Sequence, residues 1–166
     1  MKKDKFLTVM AVLDDDTQAI MSAVQGEIIN NVADGTQTMG IPFHITLGSY
    51  PMDCESEVSR AISDVATVCR EFDIAFSGYG DFGNRVLYLK PSIPKELLDL
   101  RENFKSDYAG GFDWVPHATV FCGEEHEVIK AKAILDKLEF PIQSKIIAIE
   151  LGEFFPPRKI LREDFK

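Results

Sequence analysis

The sequence predicts an α+β fold of two lobes, each ordered β-α-β-α-β, with two antiparallel-rich sheets facing a central groove and helices outside. Three observations predict it. Apolar residues switch repeatedly between strand and helix periodicity along the chain. The order of elements starts again after about residue 80. Two short strands, "HITL" at 44–47 and "HATV" at 117–120, stand at matching places in the two halves. The 166 residues suit one domain, 1–166, with pseudo-symmetric lobes at about 1–80 and 81–166.

Taken in order, the apolar run Phe6–Leu13 is the first strand. It is too short for the roughly 20 residues of a membrane span, and it runs into Asp14-Asp15-Asp16 without a cleavage site. Those acids favour the N-terminus of a helix carrying Ile20, Val24, Ile28 and Val32 at spacing four. A strand at about 43–50 follows, then a helix at about 55–70 with Val58, Ile62, Val65 and Val68, then the strand "FDIAFSGY" at 72–79. The second half opens with the strand "NRVLYLK" at 84–90. Ser92 and Pro94 start a helix in which Leu97, Leu98, Arg101, Phe104 and Tyr108 fall at helical intervals. A strand at about 116–122 and a helix at about 127–138 come next. Strand-like sequence from Phe140 to Phe155 and a short strand near Lys159–Leu161 close the chain.

Charge is divided unevenly. Residues 1–83 hold 5 Lys/Arg against 13 Asp/Glu and residues 84–166 hold 13 against 14, which together give the net −9. So acidic a protein is poorly matched to long duplex nucleic acid, whose affinity rests on neutralised phosphates. A small anion or one RNA end remains open if the second half supplies cations. Three cysteines, Cys54, Cys69 and Cys122, lack CxxC spacing, which points away from disulfides and zinc and toward a cytoplasmic location. No membrane association is expected, and the protein is expected to be a monomer.

The chemistry lies in the two matched strands. His44 and Thr46 are two residues apart, as are His117 and Thr119, with aliphatic residues between and after them. Alternate residues of a strand share a face, so each strand presents an imidazole beside a hydroxyl and buries its aliphatic side chains behind. One such pair is an ordinary core or surface histidine. A pair in each half is the signal. Two imidazoles flanking a phosphate can act as base and acid, while two hydroxyls donate to its non-bridging oxygens. No third ligand accompanies either histidine, and His126 in "GEEHEV" reads as a surface residue, so no metal and no cofactor are expected.

With "WVPHATV" as the run-in to the second motif, the chain resembles the 2H phosphoesterase (LigT-like) superfamily, which includes the 2′-5′ RNA ligase-like proteins. The resemblance covers nearly the whole chain. It implies a metal-independent enzyme with His44, Thr46, His117 and Thr119 as the catalytic four, acting on 2′,3′-cyclic phosphates or related cyclic phosphodiesters of nucleotides or RNA ends. Many bacterial RNA 2′,3′-cyclic phosphodiesterases of this superfamily carry a basic residue soon after the second motif. Here the sequence is "FCGEE".

Other residues keep two uses open. Arg85 is a phosphate contact or a solvated strand-end charge. Tyr50 and Phe121, counted by strict alternation, share a face with the His/Thr pairs and either stack on a base or fill the core. Trp114 is a candidate groove wall, and the loop 34–42 either closes over substrate or simply connects. "GYGDFG" at 78–83 leads into a strand, not a helix, so it reads as a turn and not as a dinucleotide site. Hydrolysis of a cyclic phosphate is the first functional expectation. Joining of RNA ends through a 2′-5′ linkage at the same site and non-catalytic binding of nucleotides or RNA ends are the alternatives.

Overall fold

A computed structural model describes residues 4–106, 108 and 113–166; Lys2 and Lys3, whose charges precede the first apolar run, lie outside the described residues. The element order is β1 (Phe6–Leu13), α1 (Asp15–Asn31), β2 (His44–Pro51), α2 (Glu55–Val68), β3 (Phe72–Phe82), β4 (Val86–Pro91), α3 (Lys95–Asn103), β5 (Ala118–Cys122), α4 (Glu125–Leu135), β6 (Ile142–Phe154) and β7 (Arg158–Asp164). Every strand pair is antiparallel.

The strands form one sheet in the order β2-β1-β6-β3-β4-β5, with β7 also on β6. Its two arms are joined by β6, whose 13 residues are long enough to serve both. The start of β6, 142–146, pairs with β3. Its later part pairs with β1 on one side and β7 on the other. The last strand of each half in sequence order therefore sits in the other half's arm. The ends of the sheet, β2 and β5, approach each other, which brings the two motif strands together.

Local chemistry explains most boundaries. Asp14 caps α1 by accepting from the Thr17 amide (3.0 Å), and Glu124 and Glu127 form a reciprocal capping box on α4. The β3–β4 hairpin turns at Gly83 and Asn84, both at positive φ, a conformation glycine and asparagine tolerate best. "GYGDFG" is thus strand and hairpin.

The core lies between the sheet and the helices, built from Leu7, Val9, Ala11, Met21, Ile45, Leu47, Ile62, Phe76, Leu87, Ala118 and Leu151 among others. Helix faces differ from the sequence reading in one respect. In α1 the buried residues are Thr17, Met21, Val24 and Ile28, while Ile20 is 37% exposed. Strict spacing of four drifts about 40° per step around a 3.6-residue helix, so it leaves the core face. In α2 the drift runs the other way: two steps of three from Ile62 carry Val68 off the core face to 81% exposure, and Ala66 takes the buried place. Helix α3 stops at Asn103, so Tyr108 lies beyond it and is exposed, as is Leu98.

Candidate active site

Each motif strand contains a β-bulge at the same motif position. In β2, Thr46 faces Met10 and Gly48 faces Val9, so Leu47 is the extra residue. In β5, Thr119 faces Tyr88 and Phe121 faces Leu87, so Val120 is extra. Both are the third residue after the histidine. A bulge reverses the alternation beyond it. Leu47 and Gly48 are consecutively buried, as are Val120 and Phe121, while His44, Thr46 and Thr119 remain partly exposed on the other face.

A bulge on an edge strand leaves a carbonyl that the ladder does not satisfy. Each is taken up by a helix of the other half. Arg101 of α3 donates to the Leu47 carbonyl (2.5 Å), and Gln25 of α1 donates to the Val120 carbonyl (2.9 Å). The Trp114 indole N–H donates to the Thr46 carbonyl (2.9 Å), with the Arg101 guanidinium 5.4 Å from its ring centroid. Gly48 permits this closeness: a Cβ there would stand 2.0 Å from the Phe104 carbonyl oxygen.

The two imidazoles are held alike. His44 Nδ1 lies 2.8 Å from the Pro42 carbonyl and His117 Nδ1 lies 2.8 Å from the Val115 carbonyl, in each case two residues back. A carbonyl only accepts, so Nδ1 carries hydrogen and Nε2 is left for chemistry. Gln18 fixes the approach to the first motif, donating to the Phe43 carbonyl (2.7 Å) and accepting from the Phe43 amide (2.8 Å).

Their surroundings differ. Enclosure pushes the His44 pKa down from 6.5 to about 4; the Pro42 bond opposes this, and the charge of His117 adds to it. His44, Thr46 and Thr119 line a cavity of about 660 Å³, whose wall also includes Thr8, Gln18, Gln25, Thr36, Gln37, Phe6, Phe154 and Phe155. His117 stands outside that lining, edge-on to Phe82 (centroids 4.9 Å) and Tyr88 (5.4 Å). Among the described residues, no group of three or more His, Cys, Asp or Glu side chains gathers as a metal site would need.

The model of the family described as the 2′-5′ RNA ligase superfamily matches residues 40–153, which include both motifs. The chain belongs to that superfamily. It is thus an enzyme of the 2H phosphoesterase type. Solved structures similar to this superfamily member include TT0787 of Thermus thermophilus, at 15% identity over 96% of this chain and 97% of that one, TM-score 0.65. E. coli LigT complexed with 3′-AMP is 17% identical over 99% of both chains, TM-score 0.58. LigT complexed with ATP is 16% identical over 99% of both, TM-score 0.59. At these identities the likeness is one of fold. No curated protein matches the chain in sequence.

The remaining sequence candidates of this 2H enzyme fall elsewhere. Phe121 is fully buried in the core, so it cannot stack on a base; strict alternation failed because the bulge at Val120 turns it inward. Tyr50, beyond the bulge at Leu47, packs against the core outside the cavity lining, where burial pushes its phenol pKa up and Arg101 opposes the shift. Arg85 is paired with Glu124 (2.6 Å) beside a separate hollow, which takes it from the cavity with the motifs. Trp114 braces β2 and is no wall of that cavity. His126 is exposed in the first turn of α4. Residues 36–43 do line the cavity. Gln18, Gln25 and the Phe6/Phe155 pair were not read from sequence, because polar and aromatic residues on α1, β1 and the β6–β7 turn carry no motif.

Proposed function

We propose that this protein hydrolyses 2′,3′-cyclic phosphates, or related cyclic phosphodiesters, of nucleotides or RNA ends by metal-independent acid–base catalysis with His44 and His117. The observation that carries this reading is the matched pair of imidazoles, each tied through Nδ1 to a carbonyl two residues back, with a threonine on the same strand. With its pKa near 4, His44 is neutral at neutral pH and fits the base. Its Nε2 takes a proton from water as the water oxygen bonds to phosphorus. One ring P–O bond breaks, and His117, as imidazolium, gives its Nε2 proton to the departing oxygen. The rings of Phe82 and Tyr88 pack edge-on against His117 and hold its imidazole in place. Thr46 and Thr119 donate to the non-bridging oxygens, whose charge must be held through the transition state.

A nucleotide suits the cavity better than an aliphatic phosphodiester. Phe155 is 55% exposed and lies edge-on to Phe6 in its wall, offering a ring on which a base can stack. LigT structures with 3′-AMP and ATP are consistent with a nucleotide ligand. The test is turnover of 2′,3′-cyclic nucleotides and cyclic-phosphate-ended RNA in excess EDTA. Full activity is expected, and loss on chelation would overturn the metal-free mechanism. The same acid–base pair runs backward as 2′-5′ ligation, the activity in the family's description. Supplying a cyclic-phosphate end and a 5′-hydroxyl end separates the two: joined product marks ligation.

A further inference from the structure

A second cavity, of about 260 Å³, opens beside the first and shares with it Gly40, Ile41, Pro42 and Phe154. Its other side is formed by Arg158, Lys159 and Arg162 of β7. By contrast, among the described residues no lysine or arginine lines the larger cavity. A phosphate at the motifs would therefore meet uncharged donors and imidazole there, and three cations line the adjoining cavity across the shared Phe154.

Those cations are held in place with donors to spare. Arg158 is fixed between Glu153 (2.8 Å) and Glu55 (3.5 Å), using Nε and Nη2. Arg162 is fixed between Asp164 (3.0 Å, Nε) and Glu150 (3.8 Å, Nη1). Among the described residues, Arg158 Nη1 and Arg162 Nη2 meet no acceptor and Lys159 has no ion pair. Among the described residues Glu150 is the one carboxylate in the cavity lining; it is 4% exposed, and Arg162 Nη1 stands 3.8 Å from it. The pocket thus offers an anchored set of N–H donors that suits a phosphate, for which guanidinium geometry is well matched. All three residues lie beyond 153, where the family match ends.

We infer that Arg158, Lys159 and Arg162 form a subsite for a second phosphate of the substrate, the one on the 5′ side of the nucleoside whose cyclic phosphate reacts. This rests on the function proposed above and narrows it: the preferred substrate is an RNA end or a nucleotide with a second phosphate, not a free cyclic mononucleotide. It also accounts for an acidic protein, with no cation after its second motif, handling a polyanion's end.

Equilibrium binding tests this without turnover, using adenosine 3′-monophosphate, adenosine 3′,5′-bisphosphate and the dinucleotide ApAp. The bisphosphate should bind roughly tenfold more tightly than the monophosphate, the worth of one or two charge-assisted hydrogen bonds. In Lys159→Glu that ratio should fall to about one, and because it is measured within one variant, a general loss of folding does not imitate it. Equal affinity for the two probes in the wild type, or a ratio that survives Lys159→Glu, overturns the subsite and leaves the catalytic reading standing. No binding of any probe overturns both. If ApAp keeps the advantage, the phosphate is a chain linkage and the ligand is an RNA end. If only the bisphosphate has it, the ligand is a small nucleotide.

Discussion

The strands β2 and β5 are built to one plan and placed in different surroundings. Both begin at or just after a histidine tied to a carbonyl two residues back, and both bulge at the third residue beyond it. Both have the bulge carbonyl held by a side chain from the other half. One histidine is enclosed and shifted to about 4, and the other lies against two aromatic rings outside the main cavity. Shared construction fixes where the two imidazoles sit. In the proposed hydrolysis, the unequal neighbours divide the roles, one imidazole serving as base and the other as acid.

The comparison is broken most severely by removing either ring. His44→Ala and His117→Ala are each expected to lower kcat by about 10²–10⁴, with circular dichroism and thermal unfolding showing an intact fold. A large loss in one variant and almost none in the other would mean that the two strands do not share one reaction. Thr46→Val and Thr119→Val keep shape and remove the hydroxyl, so each should cost about 10² in kcat. Near-equal losses would support symmetric charge stabilisation at the phosphate, and KM should move less than kcat.

The plan itself was legible in sequence, because His-x-Thr-x on a strand needs only period two to be read. The bulges were not. Nothing in "HITLG" or "HATVF" announces an extra residue, since Leu47 and Val120 are apolar residues that a regular strand would also bury. Tyr50 and Phe121 were placed on the wrong face for that one reason. The partners across the groove were equally hidden. Gln25 and Arg101 are ordinary helix residues until the sheet brings its two ends together, and the cations of β7 lie far in sequence from either motif.

A pH titration sharpens the difference between the histidines. His44 has its ordinary value of 6.5 in the unfolded chain and about 4 in the fold, so the unfolded chain takes up the proton first. Stability from this ring is thus whole above about pH 6.5 and drains as pH falls toward 4, by about 2 kcal/mol once the partial exposure of the site is allowed for. Urea unfolding of the wild type against His44→Gln at several pH values isolates it. The comparison is needed because Glu150, pushed up by burial, titrates in the opposite sense. If His44 is the base, the acid limb of kcat/KM falls near pH 4. A limb near 6.5 would remove the assignment.

The smallest effects expected come from the two cross-lobe donors, which do the same job with different chemistry. Arg101 brings a charge to the Leu47 carbonyl, and Gln25 brings a neutral amide to the Val120 carbonyl. Hydrogen bonds from charged donors contribute about 1.5–3 kcal/mol and neutral ones about 1 kcal/mol. Arg101→Leu should therefore destabilise by about 2 kcal/mol and Gln25→Leu by about 1 kcal/mol in urea unfolding. Each substitution also frees the bulge of the opposite half, so kcat should fall further than stability alone explains when assays are run well below the unfolding transition. Arg101→Gln tells charge from geometry. If a neutral donor is enough, as it is at Val120, this variant should regain most of the lost kcat while recovering only part of the stability. Were Gln25→Leu to match Arg101→Leu in stability loss, the charge would contribute nothing, and the two clamps would be equivalent in energy as well as in position.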